Sequence, residues 1–152
     1  MITIEKPLVS DIKSMQDIVM PYVKDGIILY RSDNEVATTI RSYTVLKDNE
    51  TIIGFAALHI HSIALCEIRS LIIKKEYRQQ GLASKLILSL IDEAKKLKLK
   101  EILVLTYVDN FFKKLGFEII NKEDIPDHKI WLDCSRCKHF PICNEISLIK
   151  HI

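Results

Sequence analysis

A carboxylate and a guanidinium two residues apart, Glu67 and Arg69, sit in Glu67-Ile-Arg-Ser-Leu71-Ile-Ile73, and eleven positions after the glutamate begins Arg78-Gln79-Gln80-Gly81-Leu82-Ala83. The carboxylate could serve as a general base, and the guanidinium could fork onto an acidic ligand. The first stretch is aliphatic and β-branched with no Pro or Gly, which predicts a strand. A side-chain period of two then places Glu67, Arg69, Leu71 and Ile73 on one face and Cys66, Ile68, Ser70 and Ile72 on the other. Further on, Leu82, Ala83, Leu86, Ile87, Leu90, Ile91, Ala94 and Leu97 recur at helical spacing, which predicts a helix with a core-facing stripe. Gly81, without a Cβ, and the small Ala83 leave the first-turn N–H groups as far as Ser84 open to an anion. Helix starts bind phosphate for that reason, and Arg78 would add a forked cation beside them.

The elements that must position these residues follow in order. A short strand over Ile2 to Lys6 precedes a helix capped by Ser10 or Asp11, with Ile12, Met15, Ile18, Val19 and Val23 on one face and Gly26 ending it. Arg31 stands just before a second helix, Asp33 to about Ser42, where Ser32 and Glu35 fit a capping box; composition alone leaves Arg31 either a ligand group or a surface cation. Tyr43 to Lys47 and Thr51 to Ile60 read as strands joined by the turn Asp48-Asn-Glu50, and Leu65 to Lys74 as a third. His59 and His61 alternate onto one face, expected as satisfied, hydrogen-bonded histidines. Glu101 to Tyr107 is a further strand, Asp109 to Leu115 a short helix, Phe117 to Asn121 a strand and Ile146 to Ile149 a terminal one.

The chain has 152 residues, about one domain over 1–152. Its composition, 48% hydrophobic and 28% charged with a net charge of +2, is that of an ordinary globular protein with no footing for nucleic-acid binding. No apolar run reaches membrane-spanning length and the start has no signal-peptide pattern, so a cytoplasmic enzyme without membrane partners is expected.

The segment 124–152 carries Cys134, Cys137 and Cys143 with His139 nearby and His128 upstream. These are enough soft ligands for tetrahedral zinc. The spacing Cys-x2-Cys-x5-Cys is not that of a standard finger, however, and reduced thiols packed in a loop are the expectation, with no metal and with redox switching as a further alternative.

The strand, loop and helix resemble the GNAT N-acyltransferase superfamily, whose pyrophosphate loop, Q/R-x-x-G-x-G/A, is matched by Arg78, Gly81 and Ala83. Phe111-Phe-Lys-Lys-Leu-Gly-Phe117 is similar to that superfamily's F-Y-E-K-L-G-F. Together with Arg31 in I-L-Y-R-S, A-L-H-I from Ala57, E-I-R-S-L, L-T-Y from Leu105 and K-I-W-x-D-C-x-x-C-x-x-F-P-x-C, the pattern resembles the short amino-acid N-acetyltransferases of bacterial arginine biosynthesis, N-acetylglutamate synthases. The amino-acid-kinase domain of longer members is not among these residues, so feedback by arginine through that domain is not assumed.

The resemblance implies an α/β (α+β) GNAT fold, a mixed central sheet of about seven strands flanked by helices. It also implies acetyl-CoA as co-substrate, its pyrophosphate on Arg78, Gln79, Gln80, Gly81, Leu82, Ala83 and Ser84 and its pantetheine arm along Leu71, Ile72 and Ile73. The acceptor would be an amino acid, L-glutamate. Neutral amine is needed to attack a thioester, and Glu67 is the candidate base; its alternative is an ion pair with Arg69. A strand N–H near Leu71 could meet the developing oxyanion. Phe112 occupies the place of the superfamily's acid tyrosine, leaving Tyr107, water or an unprotonated thiolate. Arg31 and Arg69, with Lys129, are the candidates for the substrate carboxylates. Trp131 is expected to cover the core or wall that pocket. Direct transfer is expected because Cys66 points away from Glu67. A homodimer is expected from apolar terminal strands. Alternatives are another small amine or a protein N-terminus as acceptor, or a non-catalytic acyl-CoA-binding or metal-sensing module.

Overall fold

A computed structural model of the chain describes residues 1–125 and 145–152; the expectations for His128, Lys129, Trp131, Cys134, Cys137, His139 and Cys143 lie outside them. The β-branched, aliphatic stretch after Ser42 folds as an antiparallel meander of β2 (Tyr43–Asp48), β3 (Thr51–Ile60) and β4 (Leu65–Ile73). Asn49, at φ 56°, turns the first hairpin; its short polar side chain tolerates that left-handed conformation. β1 (Ile2–Glu5) adds antiparallel to β2.

Two helices cover one face of this sheet. They are α1 (Ile12–Lys24) and α2 (Asp33–Thr38), and they bury Met15, Val19 and Val36 against Tyr43, Val45 and Phe55. The predicted capping box forms: Glu35 N–H donates to Ser32 Oγ at 3.2 Å and Ser32 N–H to Glu35 Oε1 at 3.3 Å. The expected second helix is shorter than its pattern, ending at Thr38 and giving way to a 3-10 turn over Ile40–Ser42. Thr39, whose hydroxyl donates to the Glu35 carbonyl at 2.8 Å, closes it off.

On the opposite face lies α3 (Leu82–Lys96), which buries Leu86, Ile87, Leu90, Ile91 and Ala94 against Leu46, Ile53, Ile68 and Ile102. Full burial of each large aliphatic side chain there contributes about 1.5–3 kcal/mol. As a crossover helix α3 lets β5 (Glu101–Thr106) lie parallel to β4. After α4 (Asp109–Lys114) and β6 (Glu118–Ile120), β7 (Ile146–His151) inserts between β5 and β6, antiparallel to both. The described residues thus form a seven-stranded mixed sheet in the order β1-β2-β3-β4-β5-β7-β6. β7 has neighbours on both sides, so among the described residues only β1 of the two terminal strands keeps an open edge.

Two departures from regular pairing prepare the site. β4 and β5 are in register only from Leu65↔Glu101 to Glu67↔Leu103, and beyond that the strands splay. On the other side of β4 the register passes from Ala57↔Arg69 to Phe55↔Ile72, so one residue of β3 faces two of β4. This is a bulge, centred on Ser70 at φ 61°. It corrects the simple alternation. Glu67 and Arg69 do share a face, but Leu71 and Ile73 change sides and pack with the α3 core, while Ile72 joins the α1 core.

Candidate active site

Where β4 and β5 part, a cavity of about 240 Å³ opens, lined on one wall by Glu67, Arg69, Ser70 and Leu71 and on the other by Leu105, Thr106, Tyr107 and Val108. Tyr22 of α1 and Arg31 of the segment before α2 close it from the helical face. Glu67, Arg69, Leu71, Tyr107 and Arg31, expected from sequence to act together, therefore meet in one space.

The Glu67 carboxylate is 2% exposed, and His61 Nε2 lies 2.9 Å from its Oε1. A buried carboxylate keeps its charge only where hydrogen bonds or opposite charges stabilise the ionised form. His59 faces Glu67 across β3 and β4, and its ring meets that of His61 edge-on at 4.7 Å. The expected hydrogen bonding is met at His61 Nε2.

Arg69 lies in a row across the sheet with Ala57 and Tyr43. Tyr43 is buried, which pushes its hydroxyl pKa above the ordinary 10.0, while the charges of Arg31 and Arg69 pull it down and Glu35 pushes it up. Both guanidinium groups are thus close enough to act on one phenol. Gln16 holds the arginine segment in place, its amide donating to the Arg31 carbonyl at 2.8 Å and to Asp33 at 3.1 Å.

At the far end of β4 the chain reaches α3 through a 3-10 turn over Lys75–Tyr77. Gln79 and Gly81 both have positive φ, 63° and 74°. Gly81 is the N-cap of α3, with no side chain capping the helix start. A Cβ there would meet no atom within 4 Å, so backbone conformation demands the glycine and the space beside it is left open. The N–H groups of Leu82, Ala83 and Ser84 open this 15-residue helix, an arrangement able to hold a diphosphate. Arg78 donates through Nε to the Ile73 carbonyl at 3.1 Å and through Nη2 to the Tyr22 hydroxyl, bracing β4 against α1.

The comparisons with known proteins follow this geometry. The family described as Acetyltransferase (GNAT) matches residues 13–117. The chain belongs to the GNAT acetyltransferase family. An uncharacterized N-acetyltransferase of Chlorobaculum tepidum is 33% identical over 141 residues, 93% of this chain and 90% of that protein. An amino-acid acetyltransferase of Aeromonas salmonicida is 30% identical over 78% of this chain, which spans only 27% of that relative's length. In fold, N-acetylglutamate synthase of Neisseria gonorrhoeae, solved with coenzyme A and N-acetyl-glutamate, aligns at a TM-score of 0.86 with 21% identity, covering 99% of this chain and 35% of that one. Rv2747 of Mycobacterium tuberculosis, solved with CoA and NLQ, aligns at 0.85 with 18% identity over 99% of both chains. At these identities the structures establish the GNAT fold.

Within this GNAT domain three residues limit the available chemistry. Phe112 is buried, stacked edge-on with Phe111 at 5.0 Å and Phe117 at 5.4 Å, and offers no proton. Tyr107, 43% exposed, follows β5 where Val108 N–H donates back to Thr106 Oγ1 at 3.0 Å and turns the chain. Cys66 packs into the α3 core, opposite Glu67; burial pushes its thiol up to about 12, with Glu67 and Glu93 adding to the shift. A thiol so held is no nucleophile near neutrality.

Tyr22 and Tyr43 are site neighbours that the sequence pattern did not single out. Tyr43 could have been found from its place at the start of a strand in register with Arg69, whereas nothing local marks Tyr22. Among the described residues no cluster of His, Cys, Asp and Glu is arranged to hold a metal ion, and no helix is long and apolar enough to cross a membrane.

Proposed function

We propose that the protein transfers the acetyl group of acetyl-CoA to the α-amino group of an amino acid, L-glutamate, by direct attack in a ternary complex. The observation that carries this reading is the convergence of one buried carboxylate, Glu67, with two guanidinium groups, Arg31 and Arg69, in the cavity between the splayed strands. The relatives named amino-acid acetyltransferase support the acceptor class.

In this mechanism the diphosphate of acetyl-CoA rests on the N–H groups opening α3 at Gly81, and its pantetheine arm runs along Leu71, Ile72 and Ile73 in the gap that β5 leaves. Glu67 takes a proton from the glutamate ammonium, freeing the nitrogen lone pair to attack the thioester carbon. Arg31 and Arg69 hold the two substrate carboxylates, with Lys129 as a further cation. The N–H of Leu71 donates to the carbonyl oxygen as charge develops, a contribution of several kcal/mol in preorganised sites. The C–S bond then breaks; Tyr107 gives its proton to the departing thiolate, and the second proton, released by the acylated nitrogen, returns to Tyr107 through water. The pKa of Cys66 and its place on the opposite face argue against an acyl-enzyme.

A thiol-release assay across the twenty amino acids tests the acceptor. Glutamate is expected to give the highest kcat/KM, and Arg31→Ala to reduce it selectively; turnover of another amine in preference, or an unchanged glutamate KM in Arg31→Ala, overturns the assignment.

A further inference from the structure

We propose that His61 is the positioning residue of Glu67: its Nε2–H donates to one carboxylate oxygen, so that the second oxygen is presented, ionised, to the substrate amine. This rests on the reading of Glu67 as the base. An ionised carboxylate can only accept, so the 2.9 Å contact assigns the proton to Nε2. Both side chains are almost wholly enclosed, 3% and 2% exposed. Enclosure alone would drive Glu67 towards its protonated form, useless as a base, and a donor hydrogen bond to the charged form opposes that drift. The imidazole Nε2–H supplies that donor at 2.9 Å.

The backbone is built to deliver the ring. β3 ends at Ile60, and His61 N–H donates to the Leu65 carbonyl at 2.9 Å. Ser62 Oγ accepts from Ala64 N–H at 3.2 Å and Leu65 N–H at 3.0 Å. Ile63, 97% exposed, is left at the tip while His61 folds back over the sheet. His59 buttresses the ring edge-on.

Among the described residues, the titratable and charged groups facing the pair are His59 from β3, Arg69 from β4, Tyr107 from the end of β5, Arg31 from before α2 and Glu145 at the cavity mouth. The proton balance is simple. One N–H bond of the ammonium breaks and one O–H bond forms on Glu67; His61 keeps its own proton throughout, and Glu67 returns its proton to water after product leaves.

The test is the pH profile of kcat/KM for wild type, His61→Leu, His61→Gln, His61→Asn and Glu67→Gln. His61→Leu is expected to lower kcat by about tenfold to a hundredfold, the range for one hydrogen bond to a charged group, with KM for acetyl-CoA unchanged and the acid limb moved to higher pH. His61→Gln, whose amide reaches the Nε2 position, restores both, and His61→Asn, one carbon shorter, does not. An unmoved acid limb in His61→Leu while Glu67→Gln is inactive overturns the role of His61 and leaves the base standing. Wild-type turnover in Glu67→Gln overturns the base itself. Should His61→Leu not fold, equal rates for the Gln and Asn variants overturn the proposal.

Discussion

The two ends of β4 make a site by opposite means. At the Gly81 end the useful groups are backbone amides, aimed by two left-handed residues and a helix start, with no buried polar side chain needed. At the Glu67 end they are side chains, enclosed and held by a register, a bulge and a returning hairpin. The first kind of site binds whatever carries phosphate, and the second must discriminate between acceptors. Binding of donor and choice of acceptor should therefore separate cleanly under mutation.

The largest effect is expected at the enclosed end. Glu67→Gln should lower kcat by about 10²–10⁴, the usual contribution of a general base, while KM for acetyl-CoA stays put; steady-state kinetics with both substrates varied checks it. A rise in that KM would break the separation. Next, Arg69→Ala should raise the glutamate KM by about tenfold to a hundredfold, as loss of a hydrogen bond between charged groups does, and isothermal titration with coenzyme A alone should show unchanged affinity.

A smaller effect belongs to the open end. Gly81→Ala forces a Cβ into the left-handed region at about 1–2 kcal/mol, so thermal unfolding should fall by a few degrees and KM for acetyl-CoA rise several-fold, with acceptor preference intact. The smallest concerns the reverse face of β4. Because the Cys66 thiol is held at about 12, above the ordinary 9.0, its contribution to stability is complete below pH 9 and is lost as pH rises towards 12. Denaturation of wild type and Cys66→Ala should accordingly show a stability gap that narrows above pH 9, by about 1.4 kcal/mol per unit at most.

Legibility in the sequence followed the same division. The loop declared itself because glycine is the residue that a left-handed N-cap requires and because the helical stripe after it is unbroken, so Gly81, Ala83 and the length of α3 were readable directly. Strand limits were also close, Thr51 to Ile60 among them. Ser70 hid the bulge: serine is not a residue whose presence announces positive φ, and the alternation written through it put Leu71 and Ile73 on the wrong face. The partnership of His61 with Glu67 was illegible for a similar reason, since it depends on where the hairpin of residues 61–64 folds back. Arg78 matched a phosphate-binding pattern, yet its guanidinium braces β4 against Tyr22, a contact made across 56 residues that no local spacing could show.

The insertion of β7 between β5 and β6 also sets the order in which the molecule can be completed. During synthesis β6 leaves the ribosome before the strand that must separate it from β5, and until Ile146 to His151 arrives both are raw edges inviting a wrong partner. The cavity wall carried on β5 is thus the last part of the sheet to be locked, and a nascent chain can bury most of its core long before it is able to act.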